Sequence, residues 1–102
     1  MKTIKEPKLE NQIEIKRSKF IALAFKVVNI QEVTDILYSL TELHPNATHI
    51  CFAYNVENNF RAFDDGEPSG TAGKPILNVI NQKELVNILV VVIRYFGGIK
   101  LG

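Results

Sequence analysis

The spacing of apolar positions near the start of the chain predicts a β-hairpin. Ile13 and Ile15 alternate with polar neighbours, which is the period of a strand with one buried face. The polar stretch 16–19 predicts a turn, and residues 20–28 are rich in the apolar and β-branched side chains that favour a second strand. Residues 1–11 lack this pattern, so we expect a flexible terminus there.

The apolar period changes to that of a helix after residue 28. Asn29 is a favourable N-cap residue, and Glu32, three positions later, completes the sequence pattern of a capping box. His44 and Pro45 end the helix, because a residue that precedes proline is disfavoured in helical geometry. The stripe expected to face the core consists of Val33, Ile36, Leu37, Leu40 and Leu43.

The second half of the chain alternates between strand-like and helix-like segments. Its pattern predicts strands at 48–56 and 60–63, a glycine-rich loop at 64–73, a helix at 72–80 and a strand at 88–93. The last strand is apolar at every position, as in strands that are buried on both faces or lie centrally in a sheet. This order of elements predicts an α+β two-layer sandwich, and we expect both helices to cover the same face of the sheet.

Size and composition limit the kind of protein this chain can be. With 102 residues, of which 46% are hydrophobic, it suits one domain, which we place at residues 12–102. The net charge of +1 argues against a strongly basic, nonspecific nucleic-acid-binding protein. The single cysteine, the polar N-terminus and the short apolar runs together predict a cytoplasmic protein without a membrane segment.

The glycine-rich loop is the most unusual segment of the chain. The carboxylates of Asp64, Asp65 and Glu67 lie close together in it, and Ser69 and Thr71 precede the predicted helix. A helix N-terminus can attract an anion, and carboxylates can bind a divalent cation, although neither the Walker spacing nor a calcium-loop pattern is present. We favour a scaffold or recognition role in which the polar side chains cap the helix. No metal or cofactor is predicted.

One pair of residues raises a catalytic alternative. His49 and Cys51 share a face of their predicted strand, as a Cys–His nucleophile pair would require. Their α-carbons would lie ~6.5–7 Å apart, which is long for a direct hydrogen bond along one strand. A zinc site would need more ligands than these two residues and His44 supply. We favour a half-buried histidine and a small apolar cysteine, and keep a hydrolase using these residues or the loop carboxylates as the alternative.

Cationic residues supply the other candidate contacts. The candidate RNA contacts lie at the predicted hairpin turn and are Lys16, Arg17 and Lys19. Arg94, Tyr95 and Lys100 combine cations with an aromatic ring, which is a pattern that can recognise RNA or protein. In a purely structural alternative, Tyr95 packs in the core and Arg94 pairs with a carboxylate of the glycine-rich loop.

Long ordered motifs in this sequence resemble those of one protein family. The strings FDDGEPSGTAGKPIL at 63–77 and VVVIRYFGGIKLG at 90–102 look like the signature of the IMPACT N-terminal domain, in its bacterial, YigZ-like form. The K-x-S-x-F-I element at 16–21 and the H-P-x-A-x-H-x-C-x-A-Y element at 44–54 also resemble the family pattern. The resemblance covers nearly all of residues 16–102.

The resemblance implies a fold like that of the second domain of ribosomal protein S-five. It also implies a regulatory binding module linked to translation that contacts protein or RNA, with no established catalytic residues. The family pattern continues past Gly102 into a further helix, so we expect the domain to be incomplete here. Self-association through the surface that the helix would cover is then expected, unless residues 94–102 rearrange to cover it.

Overall fold

Five strands form one antiparallel sheet, and two helices pack against it. The computed structural model describes residues 8–15, 17–63, 65 and 73–95. The strands are β1 (Lys8–Ile15), β2 (Ser18–Lys26), β3 (His49–Val56), β4 (Asn59–Phe63) and β5 (Ile88–Tyr95), and the helices are α1 (Ile30–Leu43) and α2 (Gly73–Gln82). Within the described ranges, neither helix is long and apolar enough to cross a membrane.

Strand β5 lies at the centre of the sheet, in which the strand order is β1-β2-β5-β3-β4. It pairs with β2 on one side and with β3 on the other, antiparallel in both cases. Its side chains at Ile88, Leu89, Val91 and Ile93 are at most 1% exposed. The central position predicted from the continuous apolar run is therefore confirmed.

The two helices lie on opposite faces of the sheet. Leu89, Val91 and Ile93 point to one face of β5 and belong to a cluster with the apolar stripe of α1. Ile88 and Val90 point to the other face and pack with residues of α2. The predicted α+β sandwich is confirmed, but the expectation that both helices cover the same face is wrong. A strand that is apolar at every position presents hydrophobic side chains on both faces, so both faces need a helix or another element against them.

Strand β1 begins earlier than the sequence pattern predicts. Residues 8–11 pair with residues 22–25 of β2, so the expectation of a flexible terminus is wrong for this part. Residues 1–7 lie outside the described residues. Strand β2 is long enough to supply backbone partners to residues 8–11, and an edge strand needs no buried face to form these hydrogen bonds. The alternating apolar pattern therefore identified only the second half of β1.

The β3–β4 connection is a two-residue turn. Val56 pairs with Asn59, which leaves Glu57 and Asn58 in the loop. Their φ values are 54° and 65°, and a type I′ turn requires positive φ at both of these positions. The turn is one residue shorter than the predicted polar stretch, because Asn59 already belongs to β4.

The predicted start of α1 is confirmed, with one difference in its hydrogen bonds. The Asn29 side chain accepts a hydrogen bond from the Glu32 N–H at 2.8 Å, as an N-cap residue should. The Glu32 carboxylate accepts from the N–H of Val28 at 2.8 Å, one residue before the position expected in a capping box. At the other end, Leu43 is 71% exposed, so the buried stripe ends before it.

Candidate binding site at one end of the sheet

The sheet register brings described members of the two predicted groups of contact residues, Lys19 on one side and Arg94 and Tyr95 on the other, together at one end of the sheet. Lys19, near the start of β2, pairs with Tyr95 at the end of β5. The next pair along these strands is Phe20 with Arg94. On its other side, Arg94 pairs with His49, the first residue of β3. Residues from three strands and from opposite ends of the sequence therefore meet here.

Two cation–aromatic contacts mark this end of the sheet. The Lys19 Nζ lies 5.1 Å from the centre of the Tyr95 ring. The Arg94 guanidinium carbon lies 5.7 Å from the centre of the Phe20 ring. Since adjacent residues of a strand point to opposite faces, the two contacts lie on opposite faces of the sheet. Each such contact stabilises by about 0.5–1 kcal/mol when exposed. It holds the cation beside an aromatic face without neutralising its charge. We call these four residues the cation–aromatic end.

The Tyr95 ring also contacts His44. The two rings meet edge to face, with centroids 5.8 Å apart, and the Tyr95 hydroxyl is hydrogen-bonded to Nδ1 of His44. The His44 N–H donates to the carbonyl of Leu40 at 2.9 Å, which ends α1. Tyr95 also packs against the main hydrophobic cluster. The core-packing alternative for Tyr95 is thus confirmed, and the ring is held in place at the surface.

Asp65 anchors the segment that follows β4 to the start of β3. Its Oδ2 accepts a hydrogen bond from the Ile50 N–H at 2.7 Å, beyond the last backbone pair of the two strands. The His49 Nδ1 lies 3.0 Å from the Asp65 carbonyl oxygen and 3.6 Å from its Oδ2. Asp65 has a φ of 51°, a left-handed conformation that aspartate tolerates better than most residues. Both contacts of the Asp65 side chain are with β3. The other predicted partners of Arg94, Asp64 and Glu67, lie outside the described residues, so the pairing of Arg94 with a loop carboxylate stays a prediction.

A groove of about 280 Å³ lies beside Asp65, on the face of the sheet that α1 covers. Helix α1 forms one wall, and β3 and β4 form the floor. Its lining residues are Leu37, Thr41, His44, Pro45, Ala47, Ile50, Phe52, Phe63 and Asp65. We call it the α1 groove.

The placement of Cys51 and His49 does not favour the hydrolase alternative, and the loop carboxylates Asp64 and Glu67 lie outside the described residues. Cys51 is only 2% exposed, so its thiol lies out of reach of a substrate in solution. His49 is directed to Asp65, and within the described residues neither His49 nor Cys51 lines the α1 groove. In the same part of the chain, no group of three or more possible ligand residues is placed to hold a metal ion.

Several predicted site residues lie outside the described residues. These are Lys16, Asp64, Glu67, Ser69, Thr71 and Lys100. Their roles stay predictions. Among the predicted site residues that the structure describes, Arg17 is exposed in the β1–β2 turn and has a φ of 72°.

Sequence reasoning missed the roles of Phe20, a member of the cation–aromatic end, and of His44, which contacts Tyr95. Their partners, Arg94 and Tyr95, are distant in sequence, and His44 is 51 positions from Tyr95. The pairing of β2 with β5 creates the first contact, and the end of α1 supplies the second. Apolar periodicity specifies neither arrangement. The only local sign was the position of His44 directly before a proline, where a helix ends.

Known proteins are similar to this chain in sequence. Residues 16–102 match the family model described as the Impact N-terminal domain. The "IMPACT family member YvyE" of Bacillus subtilis (strain 168) is 46% identical over 98% of this chain, which spans 47% of that relative. The chain therefore spans about half the length of this relative.

Two solved structures have the same fold. A crystal structure of a hypothetical protein superimposes with a TM-score of 0.84 at 35% identity, covering 93% of this chain and 48% of the other. The two-domain translational regulator Yih1 superimposes with a TM-score of 0.63 at 25% identity, covering 95% of this chain and 40% of Yih1. Together with the sequence matches, these structures show that the chain belongs to the IMPACT family and contains its N-terminal domain.

Proposed function

We propose that this chain is a translation-associated regulatory binding module, without catalytic activity, that contacts RNA through the cation–aromatic end. The observation that carries the proposal is the pairing of β2 with β5, which places Lys19 on Tyr95 and Arg94 on Phe20. One structural neighbour is described as a translational regulator, which supports the link to translation.

The chemistry of this end suits single-stranded RNA. Cationic side chains bind backbone phosphates, and aromatic rings stack with unpaired bases. Arg17 and Lys19 are both exposed, Arg17 in the β1–β2 turn and Lys19 two positions later in β2. The low net charge means that binding would depend on this local group of cations and would be moderate in strength.

Replacing Arg17 and Lys19 together by glutamine is expected to weaken binding of a short polyuridine strand about tenfold at low salt. Each lost phosphate contact also reduces the salt dependence, by about 0.7 in the slope of log affinity against log salt for a single strand. Fluorescence anisotropy at several salt concentrations measures both quantities. Both side chains are exposed, so the free energy of unfolding should change little.

A matched control removes the same charge elsewhere. Lys26 and Lys83 are exposed outside the cation–aromatic end, and the K26Q/K83Q variant should bind the strand nearly as tightly as the wild type. Equal losses in the two double variants would mean that only net charge matters. Absence of RNA binding by the wild type would contradict the proposed contact.

We also propose that the outer strand of the sheet binds a second copy of the chain. Leu9 and Ile13 of β1 are 45% and 49% exposed, although both are large and apolar. Leu9 borders a groove of about 210 Å³ with Ala22, Ala24 and Val90 on the face that α2 covers only in part. Exposed apolar surface on an edge strand favours association with another sheet.

Sedimentation velocity over a range of concentrations tests this contact. The wild-type chain should sediment as a dimer or larger species at high concentration, and L9K/I13K should sediment as a monomer. L43K, which changes an apolar residue that is 71% exposed on α1, should behave like the wild type. A monomeric wild-type chain at every concentration would contradict self-association.

A further inference from the structure

The α1 groove combines an aromatic floor with a carboxylate at its rim. The rings of Phe52 and Phe63 lie 5.2 Å apart between centroids and are tilted by 35°. Phe52 also stacks with Tyr54, at 6.2 Å and 7°. Phe63 is 43% exposed although it lies in a strand. Aromatic faces carry partial negative charge, so this floor attracts cations as well as apolar groups.

Asp65 is the acidic group of the groove. Its side chain is 37% exposed. The Ile50 N–H occupies Oδ2 and fixes the orientation of the carboxylate, whereas Oδ1 accepts no hydrogen bond from a described residue. No lysine or arginine is among the described residues that line the groove. The basic groups near this carboxylate are imidazoles: the His49 Nδ1 lies 3.6 Å from Oδ2, and His44 lines the groove. The negative charge beside the aromatic floor is thus oriented and has no lysine or arginine beside it in the groove lining.

These features determine which occupant fits. A purely apolar occupant would remove water from the carboxylate without compensating its charge, which is unfavourable. A phosphate group would be repelled by the same charge. A lysine or arginine side chain fits both the aromatic floor and the Asp65 carboxylate. Its aliphatic stem covers the rings, and its charged end reaches the carboxylate.

We propose that the α1 groove binds a lysine or arginine side chain of a protein partner. This rests on the proposed function as a binding module, and it assigns protein recognition to the α1 groove, next to the cation–aromatic end, which His44 adjoins through Tyr95. The bound side chain lies across Phe52 and Phe63 and donates a hydrogen bond to Oδ1 of Asp65.

The test is an NMR titration of the isotope-labelled chain with Nα-acetyl-lysine amide. The amide of Ile50 is the most direct reporter, because it donates to the carboxylate that binds the ligand. We expect a saturable shift of the Ile50 amide, together with shifts of Thr41 and Phe63. Nα-acetyl-norleucine amide has an apolar side chain in place of the ammonium group, and its binding should be at least about fivefold weaker.

Variants separate the two parts of the site. D65N removes the charge but keeps an oxygen for the Ile50 N–H, and it should weaken lysine-amide binding about tenfold. D35N removes an exposed carboxylate on α1 and should leave binding unchanged. F63L should weaken binding with the carboxylate in place, so it tests the site even if D65N fails to fold.

The proposal is overturned if lysine and norleucine amides bind equally well, or if the shifts lie outside the groove. It is also overturned if polyuridine shifts the groove amides more strongly than lysine amide does. Failure of the proposed RNA contact is recognised separately, because it would appear in the R17Q/K19Q comparison and leave this titration unaffected.

Discussion

Replacing Leu89 by alanine is expected to lower the free energy of unfolding by about 3 kcal/mol. Leu89 is 0% exposed in the central strand and pairs with Phe25 of β2 and Tyr54 of β3. The substitution removes buried methyl groups and leaves a cavity between the sheet and α1, which neighbouring strands cannot easily fill. Small domains have a total stability of roughly 5–15 kcal/mol, so this loss is a large share of it. Urea unfolding followed by circular dichroism measures the change.

Leu43 provides the matched control for this prediction. It is the same residue type at the end of α1, but it is 71% exposed. L43A should change the free energy of unfolding by no more than about 0.5 kcal/mol. Similar losses in L89A and L43A would contradict the assignment of the core to the central strand.

Replacing Asn55 by alanine is expected to cost about 2 kcal/mol. Asn55 is 7% exposed, and its Nδ2 donates to the carbonyl oxygen of Leu85 at 2.8 Å. The Leu85 N–H donates in turn to the Ile80 carbonyl at 2.9 Å, so the Asn55 bond ties the segment that follows α2 to β3. Alanine would leave the Leu85 carbonyl without this donor. Chemical denaturation measures the loss, and hydrogen exchange should show faster opening at the end of α2.

Asn59 offers the corresponding control. It is exposed, and its Nδ2 donates to the carbonyl of Glu57 at 3.2 Å within the turn. N59A should change stability by no more than about 0.5 kcal/mol. If N55A is as stable as N59A, the bond to Leu85 does not hold α2 to the sheet.

Local features of the fold could be predicted from the sequence because short-range interactions determine them. The N-terminal cap of α1 depends on Asn29 and Glu32, which are three positions apart, and the sequence pattern identified both residues. The central position of β5 follows from apolar side chains at consecutive positions, which only a strand buried on both faces can accommodate. The face on which each helix lies is a different matter, because it depends on how the connections cross the sheet.

The candidate site was predictable as a set of residue types but not as an arrangement. Arg94 and Tyr95 were identified as a cation next to an aromatic ring in sequence. In the structure each contacts a residue of β2 instead, because adjacent strand residues point to opposite faces. Asp65 was predicted as part of an acidic loop, whereas its bond to the Ile50 N–H depends on where β4 ends. Residue patterns do not show which strands pair when these are distant in sequence, and the site depends on that pairing.

The measurement that tests the central claim most directly is co-sedimentation of the chain with purified bacterial ribosomes. A translation-associated module that contacts RNA through the cation–aromatic end should pellet with ribosomes at low salt. The R17Q/K19Q variant should stay mostly in the supernatant, and K26Q/K83Q should pellet like the wild type. A wild-type chain that stays in the supernatant with ribosomes in excess, or variants that all pellet equally, would contradict the account.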